Sequence, residues 1–370
     1  MRGYEPMFAA KKITAFQLYC IFIISIAITN HVLLIPVLLQ FGKRDAWIGA
    51  AAALVPILIY ASLVYVLVKR TQQQHFLIWM REKFNNRLLT TPLRVAICLI
   101  AYIHASVSLR DVMVWTKTTY LPNTPMFMIS SAFMLFCFFA ARVGLRAIAI
   151  STGILLPLVV ILGYFVMGAN FQYKDYSLLT PLFTHGYRPA LTSMYLTCGA
   201  SFEMLVLIFL QHHASTRISL RALLIISVCI LGLTIGPLTG AIAIFGPFEA
   251  ADLRYPAFEQ WRMVTIGKYI SHLDFLSIFQ WISGACIRTS ALMFLMIDIW
   301  EVGRKRTRTI LLLAIAVSLV IDSMVPISDN TMISWIQELY YPSMFIAGMA
   351  VMMYMLVVTF LPGKRKEEPG

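Results

Sequence analysis

The chain has 370 residues, of which 59% are hydrophobic and only 13% charged, and its mean hydropathy is +0.78. A soluble domain is about a quarter charged, and no soluble core could bury so apolar a chain, so a soluble globular protein is excluded. The net charge of +13 does not indicate nucleic-acid binding, because the basic residues stand in short gaps between apolar runs.

Runs of about 20 apolar residues recur along the chain, and each is long enough to cross a hydrocarbon layer of about 30 Å. The pattern therefore predicts an all-α polytopic membrane protein, with one transmembrane domain over residues 1–370. Thr14 and Gln17 are spaced as a capping box at the start of the first helix. The ten predicted spans, numbered in chain order, are 14–41, 46–68, 93–117, 125–141, 146–168, 188–211, 220–246, 274–299, 309–325 and 337–361.

Lysine and arginine are unequally divided between the two sets of connecting segments. Twenty of the 30 fall on the side that holds both termini, and eight fall on the other side. Cytoplasmic loops carry an excess of these residues, so we expect both termini in the cytoplasm, as an even number of spans requires. We name the first side the basic end and the second the acidic end. The basic end comprises the connecting segments together with the first residues of the spans that follow them, 1–13, 69–94, 142–146, 212–221, 300–308 and 362–370.

Span 1 carries a polar interruption near mid-membrane. Thr29, Asn30 and His31 follow Ile28, and Pro36 weakens the turn before it by removing a helix hydrogen bond. Three consecutive polar side chains in hydrocarbon are costly unless they face a cavity or a partner. We therefore predict a broken helix whose residues 28–31 bind a small polar ligand.

Span 6 carries a second interruption, made of small residues centred on Gly199. It stands in the sixth of ten spans, where two inverted five-helix repeats would place a partner to the break in span 1. We predict ligand contacts from four residues here, and an ionisable group for pairing or proton coupling just after them in Glu203. The alternative is that both interruptions are ordinary kinks filled by neighbouring helices. The four residues are Cys198, Gly199, Ala200 and Ser201.

Spans 3 and 8 add polar side chains to the same candidate site. His104 and Ser108 lie four residues apart on one face of span 3, and Asp111 continues that face. Gly284 and Arg288 share a face of span 8. An unpaired arginine in the bilayer costs at least about 2.5–3.5 kcal/mol, so Arg288 needs a partner or water.

Glu203 is the acidic residue at the right depth to neutralise an arginine. Its partner could be Arg288 or Arg110, and the pair could either lock helices together or meet a ligand. Arg110 and Asp111 are adjacent in sequence and point apart, so they do not pair with each other. The sequence leaves these alternatives open.

No motif for catalysis, a cofactor or a metal is apparent. The six cysteines are scattered singly without a CxxC pair, which indicates neither a disulfide framework nor a zinc site. His212 and His213, at the basic end of span 6, are typical of an interfacial pair, and His75 is a loop residue. Asp298 and Asp322 stand near span ends, where they are expected to cap helices or face the interface.

Several local motifs follow one another in a characteristic order. They are Gln17 at the start of span 1, Leu33-Leu34-Ile35-Pro36 at its end, Asp45-Ala46-Trp47-Ile48, Leu121-Pro122-Asn123-Thr124-Pro125, Ser201-Phe202-Glu203, Tyr255-Pro256-Ala257-Phe258, Asp274-Phe275 and Trp281. This order resembles the spore germination permease family, the B subunits of bacterial germinant receptors, within the amino acid–polyamine–organocation superfamily. The resemblance covers essentially the whole chain.

The resemblance implies a protein of the spore inner membrane that assembles with an A subunit and a C-subunit lipoprotein. It implies that a germinant, such as an amino acid, binds in a permease-like pocket and triggers germination. The chain departs from the family at residues 29–31, where small residues are expected, so its pocket is more polar and basic. Two alternatives remain, a proton-coupled transporter of amino acids or polyamines working through Glu203, and a structural subunit with a vestigial pocket.

Overall fold

The structure, a computed structural model, describes residues 12–86, 88–267, 269 and 271–363. Within these residues the chain is mostly helical, and the only β-type pairing is a single isolated bridge. The α-helices are α1 (Ala15–Ile28), α2 (Leu34–Gly42), α3 (Ala46–Ala52), α4 (Leu54–Arg70), α5 (Phe76–Phe84), α6 (Thr90–Thr119), α7 (Met126–Val143), α8 (Leu145–Ala169), α9 (Arg188–Ser201), α10 (Val206–Leu210), α11 (Leu220–Phe245), α12 (Pro247–Asp252), α13 (Pro256–Arg262), α14 (Phe275–Asp298), α15 (Lys305–Met324), α16 (Asp329–Trp335) and α17 (Tyr341–Phe360).

Nine helical runs among the described residues are long and apolar enough to cross a membrane. The first, Ala15–Arg70, has 56 residues, which as one straight helix would extend about 84 Å. It reverses at the short 3-10 helix Lys43–Asp45, where Lys43 has φ 45°, and so forms two spans. The polytopic all-α fold of about ten spans is therefore confirmed.

The spans follow from these elements in chain order. Span 1 is α1 with α2, span 2 is α3 with α4, spans 3 to 5 are α6 to α8, and span 6 is α9 with α10. Span 7 is α11, span 8 is α14, span 9 is α15, and span 10 is α16 with α17. Span 10 begins at Asp329, ahead of the predicted 337, because Ser328 caps its first turn by accepting the Thr331 N–H at 3.2 Å.

Spans 6 and 8 form the interior of the bundle. In span 6, 83% of the most apolar stretch is buried by protein, and in span 8, 72%, against 22% in span 5 and 28% in span 9. The α14 helix of span 8 packs against α1, α6, α7 and α8. The polar residues of spans 6 and 8 therefore face protein, while spans 5 and 9 present apolar side chains outward.

Glycines allow span 2 to lie directly against span 6. A Cβ atom built on Gly49 of α3 would stand 2.6 Å from the Cβ of Ser193 and would also strike the carbonyl oxygen of Ala190. No side chain fits there, so α3 and α9 are in backbone contact, as small residues permit in membrane helices.

Ile13, just before span 1, is hydrogen-bonded to the basic end of span 6. Ile13 donates its N–H to the His213 carbonyl at 3.0 Å and accepts the Ser215 N–H at 2.7 Å. The predicted capping box is confirmed, with Gln17 N–H to Thr14 Oγ1 at 3.2 Å and Thr14 N–H to Gln17 Oε1 at 2.9 Å. Span 1 thus starts from a defined position beside His213.

At the acidic end, α12 and α13 cover the bundle. The Trp261 Nε1–H donates to Gln280 Oε1 at 3.2 Å, and the ring of Phe258 lies 5.3 Å from that of Trp115. These contacts hold α13 against spans 3 and 8.

Candidate functional site

Span 1 changes its helical pitch at the predicted position. The α1 helix ends at Ile28, whose side chain lies outside the described part of the structure, and a π-helical turn runs over Thr29–Leu33. The Thr29 N–H donates to the Ile26 carbonyl rather than to that of Ser25. The Ser25 carbonyl instead accepts a hydrogen bond from Arg288 Nη1 at 2.9 Å. The interruption therefore turns a backbone acceptor toward span 8.

The interruption of span 6 lies after the residues that the sequence suggested. The α9 helix continues through Ser201, and a 3-10 turn follows over Phe202–Leu205. The prediction that the break centres on Gly199 is wrong, because this glycine serves helix packing. A Cβ on it would stand 2.9 Å from the Tyr341 carbonyl oxygen of span 10. Glycine at such a position lets two helices approach closely.

Glu203 and Arg288 form an ion pair in the interior. Glu203 Oε2 lies 2.6 Å from Arg288 Nη1, and both side chains are at most 2% exposed. Ser25 Oγ donates to Glu203 Oε1 at 3.0 Å, and the Thr29 hydroxyl accepts from Arg288 Nη1. The pair and its hydrogen bonds connect spans 1, 6 and 8 at the places where spans 1 and 6 change pitch.

Arg110 takes no part in this pair. Its Nη1 donates to the Val325 carbonyl at 2.8 Å and its Nη2 to the Asp322 carbonyl at 2.6 Å. Helix C-termini carry unpaired carbonyls that favour a positive charge, so this arginine caps span 9. The alternative pairing of Glu203 with Arg110 is therefore wrong.

Asp111 also belongs to a separate contact. Its Oδ1 lies 2.7 Å from Arg254 Nη2, and the carboxylate is 2% exposed. Arg254 lies in the segment between α12 and α13, so this pair ties span 3 to the cover at the acidic end. Asp111 thus belongs to an ion pair at the acidic end and takes no part in the Glu203–Arg288 pair.

His104 stands beside the ion pair, next to a small cavity. Its Nδ1 lies 2.6 Å from the Tyr340 hydroxyl of span 10. The space that the centre of a water molecule can occupy in this cavity is about 20 Å³, so the cavity has room for about one water. Its polar lining comes from His104 and Glu203, and its other walls include Gly199, Phe202, Met344 and Gly348.

Two further predicted residues are buried without hydrogen-bond partners among the described residues. They are Asn30, for both atoms of its amide, and Ser108, for its hydroxyl. A buried polar group left unpaired costs about 1–3 kcal/mol, so each is a group that a bound polar molecule would satisfy. His31, by contrast, places its Nδ1 3.3 Å from the Leu233 carbonyl of span 7.

The remaining predicted residues of span 6 lie away from the pair. Cys198 and Ser201 line an apolar groove of about 240 Å³ between spans 2, 6 and 10. Ser201 Oγ donates to the Thr197 carbonyl of its own helix at 2.9 Å. Ala200 packs in the apolar cluster that includes residues of span 1, and Gly284 is buried in α14. The structure therefore divides the predicted pocket into a polar centre and an apolar groove.

A family model described as "Spore germination protein" matches residues 12–332. The chain belongs to the spore germination protein family. It is 37% identical over 351 residues to the spore germination protein XB of Bacillus anthracis, covering 95% of this chain and 98% of that protein. The family consists of permease-like membrane proteins and not of enzymes.

The fold of this spore germination protein is that of a transporter. It is similar to a sodium-coupled sialic acid symporter solved in a substrate-bound, outward-open state, with a TM-score of 0.58 and 9% sequence identity. The match covers 93% of this chain and 78% of the symporter. The likeness concerns the fold alone, because the identity is so low.

Sequence reasoning missed two residues that complete the polar site around the Glu203–Arg288 pair. Ser25 supplies both a hydroxyl to Glu203 and a carbonyl to Arg288, and it stands one helical turn before Thr29. That i, i+4 spacing was a readable signal. Tyr340 gave no such signal, because only the packing of span 10 brings its hydroxyl to His104.

Proposed function

We propose that this protein is the germinant-sensing subunit of a spore germination receptor, and that a small polar ligand such as an amino acid acts on the Glu203–Arg288 pair. The observation that carries the proposal is the position of this pair, buried between spans 1, 6 and 8 where two helices change pitch. Broken helices at mid-membrane are where proteins of this fold bind their substrates.

An α-amino acid matches the chemistry of the pair. Its carboxylate can replace Glu203 at the Arg288 guanidinium, and its ammonium group can take Glu203 as counter-ion. Arginine binds carboxylates with charge-assisted hydrogen bonds, which suits this exchange. Asn30 and Ser108 add hydrogen-bonding groups that lack partners among the described residues.

Sensing, as opposed to steady transport, is supported by the closed centre. The space beside Glu203 has room for about one water, which is far less than an amino acid requires. A ligand therefore enters only when the pair opens and spans 1, 6 and 8 move apart. Such a movement is a signal that a partner protein can read.

We propose that the chain forms a single transmembrane domain in the spore inner membrane, with the basic end and both termini in the cytoplasm. The excess of lysine and arginine at the basic end supports this orientation. Membership of the germination family supports assembly with an A subunit and a C-subunit lipoprotein.

A proton-coupled transporter of amino acids or polyamines is the second candidate. It is favoured by the symporter-like fold and by the carboxylate of Glu203 facing a water-sized cavity. In that mechanism protonation of Glu203 releases Arg288, and the pair opens once in each transport cycle.

Spores that lack the chromosomal gene and carry plasmid variants test the sensor proposal. Arg288→Gln is expected to abolish the response to each of the standard L-amino acids that triggers the wild type. Arg262→Gln is the control, because Arg262 is 61% exposed and pairs with Glu259 of its own helix. Immunoblots of the inner membrane verify equal amounts of each variant. A normal dose–response in Arg288→Gln spores contradicts the proposal.

Uptake measurements separate the two candidates. The purified full chain in vesicles with an imposed pH gradient is expected to accumulate none of these radiolabelled amino acids beyond empty vesicles. Accumulation that depends on the gradient and is lost in Glu203→Gln favours the transporter.

A further inference from the structure

Four side chains from three separate parts of the chain meet at the basic end of the bundle. His75 precedes α5 in the connection between spans 2 and 3, His212 and His213 end span 6, and Asp298 ends α14 of span 8. Potential ligand atoms of His75, His212 and Asp298 all lie within 4.8 Å of one another. Neither the ion pair of the centre nor the proposed germinant site involves these residues.

The hydrogen bonding of the cluster leaves ring nitrogens unused. Both ring nitrogens of His75 and Nδ1 of His212 are buried without a hydrogen-bond partner among the described residues. The rings of His75 and His212 are close, with centroids 4.5 Å apart. A neutral imidazole has a free lone pair and is a common metal ligand.

We propose that His75, His212 and Asp298 form a binding site for a divalent transition-metal ion of the Zn²⁺ type. Two imidazoles and one carboxylate are a ligand set that such ions favour, with a further position for water or a fourth side chain. Asp298 Oδ2 and His212 Nε2 are 3.4 Å apart. Two ligands of a tetrahedral zinc ion are separated by about 3.3 Å when the metal–ligand bonds are about 2.0 Å, so this edge already has the required length.

His213 orients the carboxylate. Its Nε2 lies 2.9 Å from Asp298 Oδ2, the same oxygen that faces His212. Hydrogen bonds of this kind around a metal hold its ligands in place and tune their basicity. His213 is itself held, because its carbonyl accepts the Ile13 N–H at 3.0 Å.

The charges around the cluster are compatible with a bound cation, because the nearby positive charge of Arg94 is neutralised. Arg94, a positive neighbour of His75, is ion-paired with Glu301, which Arg81 also approaches at 3.5 Å. The carboxylate of Asp298 is the negative charge inside the cluster. A metal bound here would join spans 6 and 8, which also carry Glu203 and Arg288, and would fix their basic ends together.

Zinc binding to the purified full chain in nanodiscs tests the site. After treatment with a chelator and its removal, the wild type is expected to bind one Zn²⁺ per chain with a Kd below about 1 μM. His75→Ala and Asp298→Asn are each expected to weaken binding tenfold or more, and His213→Ala less. His185→Ala is the matched control, because that histidine lies in a loop at the acidic end and contacts Thr184. Metal content and titration calorimetry give the readout.

Cobalt provides a second measurement that does not depend on the stability of one variant. Co²⁺ in the wild-type chain is expected to give the visible absorption of a four-coordinate ion, and Zn²⁺ is expected to remove it. Asp298→Asn keeps the size of the side chain, so its loss of the signal is due to the missing ligand. Failure of the wild type to bind either ion, or unchanged binding in both His75→Ala and Asp298→Asn, overturns the proposal. Neither result bears on germinant sensing, which involves other residues.

Discussion

At the scale of single residues, Glu203 and Arg288 form an ion pair that is buried in the interior of the bundle. Each charge is stable there only because the other lies 2.6 Å away and because Ser25 and Thr29 add hydrogen bonds. Taking two ions out of water costs several kcal/mol per ion, and their attraction in a region of low dielectric offsets this cost. Apolar side chains of similar size would avoid this cost, which supports the proposal that the pair serves ligand binding.

A double-mutant cycle measures this interaction. Glu203→Gln and Arg288→Gln are each expected to destabilise the protein by about 3–5 kcal/mol, because each leaves an uncompensated buried charge. The double variant is expected to lose much less than the sum of the two. Unfolding of the purified chain in mixed micelles provides the free energies.

The exposed pair of Glu259 and Arg262, 3.0 Å apart, is the control for that cycle. Its coupling is expected to be about 0.2–1 kcal/mol, because solvent screens it. Additive effects of the Glu203 and Arg288 substitutions would mean that the two charges do not depend on each other.

At the scale of elements, glycines decide which helices touch. Gly49 brings α3 against α9, and Gly199 brings α9 against α17. Span 6 is therefore held between spans 2 and 10, while its own 3-10 turn at Phe202–Leu205 supplies Glu203 to the centre. The contacts with spans 2 and 10 and the change of helical pitch in span 6 together fix the position of the Glu203 carboxylate.

Gly49→Val tests this packing. The added side chain would meet Ser193 and Ala190 at once, so we expect a loss of several kcal/mol or failure to assemble. Gly153→Val in α8 is the control, since nothing lies within 4 Å of a Cβ built there. Expression level and thermal unfolding in detergent compare the two variants. Equal stability of both would show that α3 and α9 separate without cost.

At the scale of the whole molecule, the uneven distribution of charge sets the expected orientation. The basic end holds twenty of the 30 lysines and arginines, and the acidic end is covered by α12 and α13. The His75–His212–Asp298 cluster and Ile13 lie together at the basic end. If that end is cytoplasmic, the cluster meets the metal ions of the cytoplasm and the cover of α12 and α13 lies on the opposite side of the membrane.

Cysteine labelling in intact cells tests the orientation. Thr184→Cys at the acidic end is expected to react with a membrane-impermeant maleimide before lysis, and Arg304→Cys at the basic end only after it. Both positions are exposed in the structure. The wild-type chain measures the background from its own six cysteines. The reverse pattern of labelling would place the termini outside.

The sequence by itself determined the class, the family and the residues that need a partner in hydrocarbon. These properties are local, because neither the length of an apolar run nor the free-energy cost of burying a charge depends on how the helices pack. Tertiary structure decided which partner each residue meets. Glu203 could reach Arg288 or Arg110 by depth alone, and only helix rotation and packing bring it to Arg288 and send Arg110 to the end of span 9. The same holds for His75 and Asp298, since no pattern along the chain relates two residues that only the packing of α5 and α14 beside span 6 brings together.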